Sequence, residues 1–157
     1  MSNSKKRGLN FGLTSGIITT LGLMIGLNSA VSSKLAVIGG ILTIAIADAF
    51  SDSLGMHISE ESTGAKPANV LNATKYTFLS KFLVPLTFLI PVLLFSLNTA
   101  IIVSIVWAFL FLFYTNYIMA KKIGKNPYPI ILEHLTLMFV VILLTHLTGK
   151  AINFFFG

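Results

Sequence analysis

The chain has 157 residues, 55% of them hydrophobic and only 10% charged, whereas soluble domains carry nearer a quarter charged. A mean hydropathy of +0.87 and several apolar runs of spanning length make it a helical membrane protein, a single transmembrane domain over 1–157. The net charge of +6 sits beside the apolar runs and so reads as topology, not as nucleic-acid recognition, and the absence of cysteine excludes disulfides, thiolate metal sites and cysteine nucleophiles.

Spanning chains satisfy their backbone groups internally, as helices or closed barrels. The runs are long and lack period-2 alternation, so the expected fold is an all-α integral membrane protein with five transmembrane helices. Residues 1–8 are polar and basic, with Lys5, Lys6 and Arg7. That start, followed by an apolar run to Ser29 and Ala30, has the outline of a secretory leader. The run is of spanning length, however, and Asn28 stands where cleavage after Ala30 needs a small residue, so 9–27 is read as the first span. It carries two GxxxG pairs, Gly12 with Gly16 and Gly22 with Gly26, which allow close helix contact. After a short loop, 35–58 forms the second span. The longest polar segment, 59–75, follows, broken by Gly64 and Pro67. The third span, 76–97, contains Pro85 and Pro91, which free backbone carbonyls and bend the helix. Asn98 and Thr99 are expected to form a tight turn. The fourth span, 100–120, ends in Tyr114 and Tyr117, as at a membrane interface. A basic loop, 121–129, precedes the fifth span, 130–152.

Five spans leave the termini on opposite sides. Nine of the eleven basic residues then fall on one side: Lys5, Lys6 and Arg7, then Lys66, Lys75 and Lys81, then Lys121, Lys122 and Lys125. The positive-inside rule puts that side, with the N-terminus, in the cytoplasm and the C-terminus opposite.

Four of the five acids, Asp48, Asp52, Glu60 and Glu61, lie within 14 residues. Asp48 and Asp52 are four apart and share one helical face, beside Ser51, Gly55 and Ser59. A carboxylate at bilayer depth costs roughly 2.5–3.5 kcal/mol, so such acids face a partner, a water-filled path or an ion. Carboxylate oxygens suit Mg, Mn and Fe(II), and His57 would favour a transition metal. His57 is nine residues from Asp48, out of phase with it on a helix and nearer the helix mouth. Met56 adds a soft thioether. Two carboxylates a turn apart also suit a proton relay, while the plainer reading is an interhelical hydrogen bond from a protonated acid. For Glu133 and His134 the better reading is a helix start, and for His146 a bundle hydrogen bond. No phosphate-binding loop, zinc-protease motif or serine-nucleophile motif is present, so the chain is not expected to be an enzyme.

Taken together, the order of features resembles the vacuolar iron transporter family. The first span, LTSGIITTLGLMIGL, has Ser15-Gly16 where the family has Asp-Gly. The second, SDSLGMHIS, matches the family pattern at Ser51, Gly55 and Ser59, with Asp52 at its methionine position, Met56 at its glutamate and His57 at its tyrosine. LIPVLLF, GKNPYPIILEH and THLTGKAI are similar to the third- and fifth-helix patterns. The long glutamate-rich cytoplasmic segment of the plant members is reduced here to 59–75. The resemblance implies a homodimer in a cell membrane with the ion path between protomers. It implies Fe2+ or Mn2+ as the transported ion, exported from the cytosol with proton exchange, and no permanently bound cofactor. The metal residues are then Asp48, Asp52, His57, Glu60 and Glu61, with Ser15, Ser51 and Met56 along the path. Gly12, Gly16, Gly22, Gly26, Gly55, Pro85 and Pro91 would serve helix contact or hinging. Two other readings stand beside it: a membrane scaffold or accessory protein of the same fold, and a proton or monovalent-ion pathway.

Overall fold

The computed structural model describes residues 3–157. They form five helices: α1 (Asn3–Val31), α2 (Lys34–Ser62), α3 (Pro67–Leu94), α4 (Leu97–Lys122) and α5 (Pro127–Phe156). All five are long and apolar enough to cross a membrane, and the protein is an all-α five-span membrane protein. With 26 to 30 residues each, the helices measure about 39–45 Å at 1.5 Å per residue, well beyond a hydrocarbon core of about 30 Å. Their ends therefore run on into the polar flanks, which the hydropathy pattern assigns to loops.

Local chemistry sets the ends. Ser33 caps α2, its hydroxyl accepting from the Ala36 N–H, and Asn126 does the same for α5 through Tyr128 N–H. α2 and α4 end alike, on Gly64 and Gly124, each at φ 70°. Ala65 N–H bonds the Glu60 carbonyl and Gly64 N–H the Glu61 carbonyl. Lys125 and Gly124 repeat the pattern on Ala120 and Lys121. Both are Schellman stops, and in both a proline, Pro67 or Pro127, opens the next helix three residues later. The two connections on the basic side share one plan.

Two connections differ most from expectation. α3 starts at Pro67 rather than 76, because a proline at the first helical position needs no N–H partner. Most of 59–75 is therefore helix, and only 63–66 connects α2 to α3. The turn expected at Asn98 and Thr99 falls instead at Phe95 and Ser96, where Phe95 is extended and the Ser96 carbonyl accepts the first α4 bond from Ala100 N–H.

α1 is the hub, touching each of the other four helices. Its small residues work in two sets. A side-chain carbon at Gly8 would collide with the Ala73 carbonyl of α3, and one at Gly12 would come within 2.5 Å of Ser80 Cβ; Gly16 lies next to Val84. Further along, Gly22 meets Val141 and Gly26 meets Thr145 of α5, and Gly149 sits against the Gly26 carbonyl. The first half of α1 is thus seated on α3 and the second half on α5. Ile17, Leu21, Met24, Val37, Ile41, Phe88, Val92 and Leu112 form the core between them.

Candidate functional site

Asp48 lies 14 residues into α2 and Lys81 14 residues into α3, the middle of each helix. Lys81 Nζ donates to Asp48 Oδ2 at 2.7 Å and reaches Asp52 Oδ2 at 2.6 Å. The Lys81 side chain is fully buried, whereas those of Asp48 and Asp52 are 22% and 26% exposed. Two carboxylates around one ammonium leave a formal charge of −1. Thr19 of α1 completes the group: its hydroxyl is 2.9 Å from Asp48 Oδ2 and 3.0 Å from the Ser15 carbonyl. Among the described residues, Oδ1 of neither acid has a hydrogen-bond partner.

Lys81 corrects the sequence reading, which counted it among the cytoplasmic-side cations. A helix starting at 76 puts it near an end, within snorkelling reach; one starting at Pro67 puts it at mid-helix. The charge bias survives the change, with eight cations left on the basic side and Lys34 and Lys150 on the other. Thr19 was also missed. The Lys81 signal was available, since a charge deep within an apolar run asks for a partner as much as Asp48 does.

The remaining candidates spread along α2. Glu60 is buried and bonded to Arg7 at 2.6 Å, joining the ends of α1 and α2. Glu61 is exposed, with one oxygen 3.4 Å from His57 Nε2, while His57 Nδ1 lies 3.1 Å from the Thr74 hydroxyl. Glu60 is eight residues, about 12 Å along the helix, from Asp52. The five expected metal residues therefore divide between a mid-helix group and a helix-end group, and among the described residues no three His, Asp or Glu side chains converge on one point. Met56 is half-buried, and Ser51 is exposed with its hydroxyl turned to the Asp48 carbonyl. A side-chain carbon at Gly55 would meet no neighbouring helix among the described residues. Pro85 and Pro91 are buried within a continuous α3. Pro85 lacks the N–H that would bond the carbonyl four residues back, and that carbonyl belongs to Lys81.

A cavity of about 430 Å³ adjoins this group, lined by Asn10, Thr14, Ser15, Thr19, Met119 and His134, among others. The α1 residues share one helical face and run about 14 Å from Asn10 to Thr19 at 1.5 Å per residue. His134 Nδ1 donates to the Ile130 carbonyl. The cavity lies on the basic side, between α1, Met119 of α4 and His134 and Leu137 of α5, and its lining stops short of Gly22, Gly26 and Gly149, where α1 and α5 pack closely. At its inner end stands Thr19, the residue that bonds Asp48.

Comparison with family models, curated proteins and solved structures gives no match.

Proposed function

We propose that the protein is a membrane cation transporter in which Asp48 and Asp52 line the ion path, with Fe2+ or Mn2+ as cargo leaving the cytosol across the plasma membrane. The observation that carries this is the pair of partly exposed carboxylates at mid-helix, each with one oxygen free of protein partners among the described residues. Acids at that depth are costly and persist where a charge is moved or held. The cavity from Asn10 to Thr19 supplies a route on the basic side, and the likeness to iron and manganese exporters in the helix motifs supplies the cargo. A homodimer fits the outer face of α2: Gly39, Thr43, Ala47, Ser51, Gly55 and Ser59 recur every four residues and are all exposed. Such a stripe suits close contact with a second helix, and it runs beside both acids.

The test is Fe2+ and Mn2+ flux into proteoliposomes by wild type, Asp48→Asn and Asp52→Asn, with pH gradients of either sign. Flux that both substitutions abolish is the expected result. Flux that survives both removes these acids from the path.

The ion triad itself favours a second reading, a non-transporting membrane scaffold. Lys81 ties both acids of α2 to α3, and buried ionic groups serve structure as readily as function. Absence of flux for any cation, in folded protein, would support it.

A further inference from the structure

Lys81 stands where a cation would. Its ammonium takes one oxygen from each of two carboxylates a helical turn apart, at 2.7 and 2.6 Å. We infer that Lys81 is a tethered cation that occupies the cargo position between Asp48 and Asp52 and sets the affinity of the site by competing with the transported ion. This rests on the transport reading above and deepens it.

Three features support competition over a purely structural tie. First, the lysine is fully buried while both acids are partly exposed, so an arriving ion meets the carboxylates from the side opposite the ammonium. Their Oδ1 atoms, unpartnered among the described residues, are available to it. Second, the charges do not allow simultaneous full occupancy. A divalent ion added beside the ammonium puts three positive charges against two negative ones at low dielectric, where like charges a few ångströms apart repel strongly. Third, the lysine's charge is committed to these two acids alone: no other charged side chain among the described residues pairs with it. In the absence of cargo the ammonium keeps the two acids from facing each other bare, and when cargo arrives it withdraws.

The test is equilibrium Mn2+ binding to the purified full chain, read by electron paramagnetic resonance of free Mn2+, for wild type, Lys81→Gln and Lys81→Arg. The amide of Lys81→Gln keeps hydrogen bonds to the acids without the charge. It is expected to bind Mn2+ at least tenfold tighter than wild type, whereas Lys81→Arg, which keeps the charge, stays near wild type. Unchanged or weaker Mn2+ affinity in folded Lys81→Gln overturns the inference, as does equal tightening in Lys81→Arg. A Lys81→Gln protein that stays unfolded under saturating Mn2+ also overturns it, because a bound cation should replace the lost charge. Tight Mn2+ binding by Lys81→Gln combined with no wild-type flux sinks the transport reading and leaves the competition standing.

Discussion

Removing the Lys81 charge should destabilise the protein more than removing either acid. Lysine makes two charge-assisted contacts, at 2.7 and 2.6 Å, from a fully buried position. Hydrogen bonds to charged groups contribute about 1.5–3 kcal/mol each, and stripping one partner from a buried ionic group costs about 3–5 kcal/mol. Lys81→Met is therefore expected to cost about 3–5 kcal/mol. Asp52→Asn leaves the lysine bonded to Asp48 and should cost about 1.5–3 kcal/mol. The triple variant Asp48→Asn, Asp52→Asn, Lys81→Met carries no charge at the site and should return to within about 1.5 kcal/mol of wild type, as replacement of whole buried ion groups commonly does. The assay is reversible unfolding in mixed micelles followed by Trp107 fluorescence, with monodispersity checked for each variant. If Lys81→Met is no costlier than Asp52→Asn, the lysine is not the charge anchor. If the triple variant is as unstable as Lys81→Met, the loss comes from the lysine stem and not from stranded acids.

Other outcomes follow from the same contacts. Gly149→Val should cost about 1–3 kcal/mol or more, because the new side chain meets the Gly26 carbonyl and Ser29 Cβ; Gly39→Ala, with open space around it, should stay within about 0.5 kcal/mol, both read by the same unfolding assay. Arg7→Ala strands Glu60, whose side chain is 6% exposed, and should cost about 1–3 kcal/mol; Glu60→Gln in the same background should recover most of that, and no recovery would mean that the arginine acts through its stem. Gly55→Leu should leave the monomer's stability unchanged but disperse a dimer built on the α2 stripe, seen as lost cross-linking between single cysteines placed on that face of the cysteine-free chain. Unaltered cross-linking would move the dimer interface elsewhere.

Composition and run length were enough to establish helices, their number and their membrane character, because the bilayer demands long apolar segments with internally satisfied backbones. The glycine-and-proline grammar at Gly64, Pro67, Gly124 and Pro127 marked the basic-side connections. By hydropathy these connections read as loops, since hydropathy falls before the helix does, whereas in the structure they are tight helix stops. The cost of intramembrane charge picked out Asp48 and Asp52, and spacing alone put them on one face. What they face was decided only in three dimensions. Lys81 and Thr19 lie 33 and 29 residues from Asp48 in sequence and come to it because glycines bring α1 onto α3 while α3 lies along α2. The same crossings draw Glu60 off to Arg7 at the helix ends, some 12 Å along α2 from Asp52. Periodicity reports which side of a helix a residue occupies, whereas the partner across the gap depends on how helices dock. That is why the chain on its own showed two costly acids, and only the tertiary structure supplied the lysine between them.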